Sequence, residues 1–250
     1  MTPRDWDAAT YDRVADIQEG WAREVIERLE LRGDETLLDA GCGSGRVTRL
    51  LVERLPRGRV IGVDSSPSMI DKARESLGDE VQLIVSDLLE LELDEPVDVV
   101  FSNATFHWIL DHRRLFERLH AILRPGGALE AQCGGIGNVE DFLNSLESVN
   151  GDERFAPYLR GIASTWNFAS PGDTEIRLRR AGFEVAGCWL DERRATPSDP
   201  RGFLEAVCLG VHLDRLPEQL RAPYVDAVLE VIPRPLTLDY VRLNISARRP

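Results

Sequence analysis

At 250 residues and 43% hydrophobic, the chain can bury a full core as one large domain with room for an insertion. Its net charge of −13 and pI near 4.8 disfavour nucleic acid as the main partner, because phosphate binding needs a basic face. Four cysteines without a CxxC pair argue against a disulfide framework or a metal site. The lack of a long apolar run argues against a membrane, so a cytoplasmic protein is expected.

Trp6 and Tyr11 lie in a polar lead-in before a helix over 17–29, whose Val25, Ile26 and Leu29 share a face. Leu37-Leu38-Asp39-Ala40 reads as a short buried strand. It runs into the glycine-rich turn Gly41-Cys42-Gly43-Ser44-Gly45 and then a helix over 46–54. Glycine supplies positive φ with no Cβ in a ligand's way, and a helix N-terminus behind it presents unpaired N–H groups. The pattern reads as a cradle for a nucleotide-type cofactor.

A second apolar strand over 59–64 ends in Asp64, and Ser65-Ser66-Pro67 opens the next helix with serine at the cap and proline in the first turn. Met69, Ile70 and Ala73 face inward. A third strand over 81–85 leads to Ser86-Asp87-Leu88, and a fourth over 97–101 leads to Ser102-Asn103-Ala104. A helix near 113–123 ends at Arg124-Pro125-Gly126-Gly127, and residues 128–132 form a fifth strand. Strands alternating with helices predict a parallel sheet covered on both faces, with a ligand at the carboxyl ends of the strands. Asp39, Asp64, Asp87 and Asn103 all fall at such ends. One strand-end aspartate can simply cap a helix, but three in register with a glycine turn point to a site.

After Gly135 the alternation stops. Helices are expected over 139–149, 174–181, 203–213 and 216–232, with an irregular, aromatic-bearing stretch over 154–167. Strands six and seven are expected over 183–190 and 238–247. The alternation of Val241, Leu243 and Ile245 with Arg242, Asn244 and Ser246 suits an antiparallel strand with two different faces. The predicted α/β architecture is a single domain over 1–250, a Rossmann-like, doubly wound, seven-stranded sheet whose last strand is antiparallel. Helical cap insertions interrupt it at approximately 135–171 and 196–236, and segments of that length commonly serve as lids or substrate walls.

A dinucleotide-binding turn would read G-x-G-x-x-G, and Arg46 stands where its third glycine belongs. Asp39-x-Gly-x-Gly-x-Gly, Gly62-Val-Asp-Ser-Ser-Pro67, Ser86-Asp-Leu88 and Leu123-Arg-Pro-Gly-Gly127 occur in order over residues 37–132. This set resembles the class I S-adenosylmethionine-dependent methyltransferases. The resemblance implies S-adenosyl-L-methionine as cofactor and S-adenosyl-L-homocysteine as product. It places Asp64 on the ribose hydroxyls, beside Ser65, and Asp87 on the adenine amino group, with Met69 and Leu88 either core or laid against adenine. Asp39, Gly41, Gly43 and Gly45 would line the methionine end, and Asn103 and Ala104 would reach it through the strand-four backbone. Cys42 reads as a small turn residue. A nicotinamide dehydrogenase is disfavoured by Arg46 and by the acid before the turn.

His107, in Asn103–Trp108, is the candidate general base, its ordinary pKa lying near neutrality. Packing of His107 and Trp108 over the cofactor is the favoured alternative. His112 and His120 read as solvated or capping. Trp6-Asp7, residues 62–69, Ser102–Trp108 with Asp111-His112, and the Leu243–Arg249 ending resemble the trans-aconitate 2-methyltransferase group, and more loosely the malonyl-thioester carboxyl methyltransferases. That likeness implies a small-molecule substrate methylated on a carboxylate oxygen, although residues 134–170 depart from the pattern. Tyr11, Arg154, Tyr158, Arg160, Trp166, His212 and Tyr224 are substrate candidates from the cap side, most of them expected as surface charge or cap core. Methyl transfer to another O, N or C acceptor, and a non-catalytic cofactor-binding role, stay open.

Overall fold

The computed structural model describes residues 16–162 and 165–250, with side chains from Gly20 onward. Tyr11 and Trp6 lie outside the described residues. β1 (Thr36–Ala40) pairs in parallel with β2 (Arg59–Asp64) on one side and β4 (Val97–Asn103) on the other. β3 (Gln82–Val85) flanks β2. β5 (Leu123–Gly134), β7 (Leu238–Arg248) and β6 (Glu184–Ala195) follow β4, in the order β3-β2-β1-β4-β5-β7-β6. β7 runs antiparallel to both its neighbours, as expected of the last strand. The chain winds outward from β1 in both directions, so the carboxyl ends of β1 and β4 flank the switch point where such sheets bind ligands.

The two-residue period of the strands sorts the core. Leu37, Val60, Val99 and Phe101 pack under α1 (Asp16–Arg28), α2 (Arg46–Arg54) and α3 (Pro67–Leu77). Leu38, Ile61, Val63 and Val100 face the opposite side, under α4 (His112–Ile122) and the later helix Pro171–Arg180. Both faces are apolar because helices cover both.

The chain leaves the sheet twice. After β5 come α5 (Glu140–Asn150), α6 (Ala156–Leu159) and α7 (Pro171–Arg180). After β6 come α8 (Pro200–Phe203), a π-helical turn Leu204–Cys208, α9 (Gly210–Arg215) and α10 (Glu218–Val231). Phe142, Leu146 and Phe155 from the first excursion share one apolar cluster with Phe203, Leu209, Tyr224 and Val228 from the second. Trp21 and Tyr240 close that cluster, edge to face at 4.9 Å. Two segments expected as separate insertions therefore share one core.

Local expectations shift in three places. The helix expected over 203–213 is broken by the π turn, and β6 runs on to Ala195 instead of ending at 190. β5 begins at Leu123, paired with Val97 ahead of a register shift at the Pro-Gly-Gly turn, where Gly126 has φ 78°. The polar face of β7 is not at the surface. Arg242, Asn244, Gln132 and Glu130 are buried beneath α1 in a hydrogen-bonded row that Arg28 and Ser246 join. Gln132 Nε2 donates to Asn244 Oδ1 at 2.9 Å, Arg242 Nε donates to Gln132 Oε1 at 3.2 Å, and Arg28 donates to Glu130 and Asn244. No helix among the described residues is long and apolar enough to cross a membrane.

Phe101 is fully buried in β4, where the strand meets the α1 side of the core. Phe101→Ala should cost about 3–5 kcal/mol of unfolding free energy, read from urea denaturation. A loss below about 1 kcal/mol would contradict this packing.

Candidate functional site

The turn after β1 is built by three left-handed glycines, Gly41 at φ 88°, Gly43 at 53° and Gly45 at 85°. Gly41 and Cys42 donate their amides to Val63 O at 2.8 and 3.0 Å, which binds the turn to the end of β2. A Cβ on Gly41 would fall 2.1 Å from Thr105 Oγ1, so the close approach of the loop after β4 by itself requires glycine here. Gly43 is different: a Cβ there would meet nothing within 4 Å. The turn is open above Gly43, where a cofactor can approach.

Asp64 sits beside this opening. Its Oδ2 accepts from the Gly43 amide at 3.0 Å and its Oδ1 from the Ser66 amide at 2.9 Å. Burial pushes its carboxyl above the usual range, against the pull of the Ser66, Gly43 and Ser65 amides. Ser66 Oγ in turn caps α3 by accepting from Met69 N at 3.3 Å, and Met69 is buried below. Ser86 N donates to Asp64 O at 3.0 Å, which brings the loop after β3 alongside. There Asp87 is exposed, with Oδ1 accepting from Leu89 N at 2.9 Å, while Leu88 is buried.

Asp39 lies under the turn, 2% exposed, and accepts from Thr48 Oγ1 at 2.7 Å. Burial raises its pKa to about 7, with Asp64 adding to the rise and Thr48 opposing it. On the other side of the turn Ser102 Oγ donates to Ala40 O, and Ala104 N donates to Gln132 O at 2.7 Å. Ala104 takes φ 58°, a left-handed conformation that costs a non-glycine residue about 1 kcal/mol and is held by these bonds. Asn103 and Ala104 thus flank the mouth of the turn. Of the cofactor-side residues read from the sequence, Asp64 bonds the turn directly. The loops after β3 and β4 are tied to the end of β2 and to the turn through Ser86 N on Asp64 O and Thr105 Oγ1 on Gly41 O.

His107 is buried, and its ring meets Trp108 at 5.2 Å and Phe168 at 5.9 Å between centroids. Trp166 stacks on Phe168 at 5.7 Å and meets Trp108 at 5.6 Å. Asn167 N donates to His107 O at 2.8 Å, strapping the two aromatic stretches together. His107 Nδ1 accepts from the Gly134 amide at 3.2 Å, so the neutral ring carries its proton on Nε2. Burial first, then the charges of Arg242 and His112, hold its pKa well below the ordinary value. In the ligand-free chain this is a packed ring whose one lone pair accepts from a backbone amide.

The other candidates fall elsewhere. His112 is buried rather than solvated, its Nε2 donating to Phe106 O at 2.9 Å, and His120 lies edge-on to Phe183 at 5.2 Å. Tyr158 and Arg160 are exposed, and Arg154 is exposed and forked onto Asp152. His212 and Tyr224 stack at 5.8 Å in the cap interior, with Tyr224 Oη donating to Asn150 Oδ1 and burial lowering His212 to about 4. These two are cap core. Thr48, Thr105, Gln132, Phe168 and Arg242 were not singled out from the sequence, because nothing local marks them.

Residues 37–127 match the methyltransferase-domain family. The chain is 33% identical to the trans-aconitate 2-methyltransferase of Methylobacterium nodulans, over 98% of each chain. It is 38% identical to the Escherichia coli (strain 55989) protein of the same name, over 77% of this chain and 71% of that one. The geranyl diphosphate C-methyltransferase of Streptomyces coelicolor, solved with S-adenosyl-L-homocysteine, shares the fold at TM-score 0.57 and 19% identity. That alignment covers 92% of this chain and 76% of that one.

Asp39 provides a test of the buried acid. Its folded pKa of about 7 lies above its ordinary 3.8, so the folded state holds a proton that the unfolded chain releases. The ligand-free protein is therefore favoured below about pH 4 and loses this contribution as pH rises through about 7. Asp39→Asn keeps an oxygen for Thr48 and removes the loss. Its Tm relative to wild type should climb between about pH 5 and pH 8 in scanning calorimetry, and a pH-independent difference would refute the assignment.

Proposed function

The chain belongs to the class I S-adenosylmethionine-dependent methyltransferases, in the trans-aconitate 2-methyltransferase group, and we propose that its own acceptor is a small carboxylic acid methylated on oxygen. S-adenosyl-L-methionine is its cofactor and supplies a methyl group activated on a sulfonium. The residues present fit that group, because the open space above Gly43 lies between an acid at the β2 end and amides of the turn.

On this reading Asp64 receives the ribose hydroxyls, with Ser65 and Met69 beside it, and Asp87 and Leu88 hold the adenine edge. Two carboxylate oxygens suit a vicinal diol, and charge-assisted bonds of this kind contribute about 1.5–3 kcal/mol each. Asp39, Gly41, Gly43 and Gly45 hold the methionine end, and Asn103 and Ala104 contact it from the β4 loop. The chain acts as one domain, and its segments 135–171 and 196–236 wall the acceptor side through their shared core. Trp108, Trp166 and Phe168 shape that wall and keep water out.

The observation that carries the choice of a carboxylate is the engagement of His107 Nδ1 by the Gly134 amide. A phenol, an amine or a carbon acid needs its proton removed, and this ring has no lone pair to spare. A carboxylate is already ionised near neutral pH and needs only alignment of oxygen, methyl carbon and sulfur. Such alignment can supply up to about 7–11 kcal/mol of the barrier. The full-length likeness to trans-aconitate 2-methyltransferases supports the same choice.

Labelled methyl transfer across a panel of trans-aconitate, malonyl thioesters, fatty acids, phenols and amines tests it. The expected product is a base-labile ester of a carboxylic acid, and label appearing only in phenols or amines would overturn the reading. Asp64→Ala should raise the cofactor Kd about tenfold or more in calorimetry; unchanged binding would remove Asp64 from the ribose. With cofactor saturating, kcat on the carboxylate should stay level between about pH 6 and pH 8.5, since the acceptor is already ionised and no proton has to be removed from it.

A further inference from the structure

Among the described residues, Arg242 is the one arginine withdrawn almost wholly from solvent, at 2% exposure. It stands on β7 directly opposite Gly134 of β5, and residues opposed in an antiparallel pair share a sheet face. Gly134 is the residue whose amide holds His107 Nδ1. On the shared face a Cβ at Gly134 would fall 2.7 Å from the Phe168 ring, so only glycine lets that aromatic close over this corner. Arg242, His107 and Phe168 thus converge at the carboxyl end of β5, next to Ala104, whose amide is held by Gln132 O.

The guanidinium is also held in a set orientation. Its Nε donates to Gln132 Oε1 at 3.2 Å, and its Cζ lies 5.0 Å from the centroid of the Trp21 ring. Gln132 is itself tied through Asn244 to Arg28, so the whole row under α1 supports the placement. A planar fork fixed in this way matches a carboxylate bidentately. Its effect is strengthened by burial, where charges are poorly screened. A chain of net charge −13 repels anions at long range, so an anionic acceptor needs a local buried cation to hold it. The two cap arginines singled out from the sequence do not meet that need: Arg160 is exposed and Arg154 is committed to Asp152. The charge that depresses the His107 pKa comes in part from Arg242, which places the two within electrostatic reach.

We propose that Arg242 receives a carboxylate of the acceptor and is the residue that makes this enzyme select anionic acceptors. The proposal rests on the carboxylate reading above. Arg242→Gln removes the charge but keeps polar groups near Gln132, and Arg242→Lys keeps the charge but loses the fork.

The test is calorimetric titration of trans-aconitate into the S-adenosyl-L-homocysteine complex of each variant, with steady-state KM and kcat for trans-aconitate alongside. Binding of S-adenosyl-L-homocysteine alone serves as the measure of an intact fold. It should stay within about twofold of wild type, while the trans-aconitate Kd and KM rise about tenfold or more in R242Q and severalfold in R242K. Normal S-adenosyl-L-homocysteine binding with an unchanged trans-aconitate Kd in R242Q overturns the proposal. Should R242Q lose S-adenosyl-L-homocysteine binding, an unchanged KM in R242K overturns it in its place. Wild type that methylates a carboxylic acid, paired with variants that do so at the same KM, refutes Arg242 alone. Wild type that methylates phenols or amines and no carboxylic acid refutes the carboxylate reading and the proposal together.

Discussion

The carboxylate of Asp64, held between the amides of Gly43 and Ser66, is the tie on which the geometry of this site depends. It joins the end of β2 to the turn after β1, and the Gly41 and Cys42 amides on Val63 O repeat the joint one residue earlier. A glycine-rich turn by itself has many conformations available. Tied at three amides it has one, and Thr105 packed against Gly41 closes off the alternative on the β4 side. The opening above Gly43 is what remains. The cost of this arrangement is two acids withdrawn from water, buried Asp39 and half-buried Asp64. Burial raises the proton affinity of both, and Asp64 adds to that of Asp39 in the ligand-free chain. A cationic ligand end is the natural relief for that charge.

The second organising feature is the buried polar row on the α1 face of β5 and β7. Glu130, Gln132, Asn244 and Arg242 occupy positions that would be apolar in a sheet face covered by a helix, and Arg28 enters from α1 to complete their bonding. Polar groups in such a place cost free energy unless hydrogen-bonded, and a bonded row of this kind specifies one arrangement where an apolar layer would tolerate several. The row runs from Arg28 near the foot of the sheet to Arg242 at its carboxyl end. It sets the position of a cation beside His107, and it couples that position to the seating of α1. Trp21, on the same helix, both stacks on Arg242 and belongs to the core shared by the two excursions. The helix before β1, the last strand and the cap are therefore packed together on the side of the sheet where Arg242 lies.

His107 shows how a residue's chemistry is assigned by its neighbours. In the sequence it is an imidazole beside the expected sulfonium, with the pKa of an acid–base catalyst. In the fold a backbone amide from β5, a strand separated from it by α4, occupies the nitrogen that a base would use. Burial and the adjacent positive charge then hold the ring neutral. The same three facts support the proposal of an acceptor that arrives ionised.

The alternation of strands and helices, the antiparallel last strand, the glycine turn and the acids at the strand ends were all legible in the sequence, because each is written in a local pattern. Leu37 and Leu38 alternate between faces, Gly41, Gly43 and Gly45 mark a turn of positive φ, and Asp64 and Asp87 follow strands within one or two residues. The resemblance to class I methyltransferases rests on those same local patterns. What the tertiary structure alone decided depends on pairs distant in the chain. Arg242 is one arginine among many until β7 pairs with β5 and α1 closes over it, and Phe168 joins His107 only because Gly134 lacks a Cβ. Arg154, Arg160 and Tyr158 stay at the surface, while His212 and Tyr224 turn into the cap, for the same reason: burial is a property of packing between segments, and no single segment carries it. The sequence by itself determined the glycine turn and the strand-end acids at which we place the methyl donor. Long-range contacts decided which side chains gather around His107, because those contacts set charge, burial and the direction of each hydrogen bond.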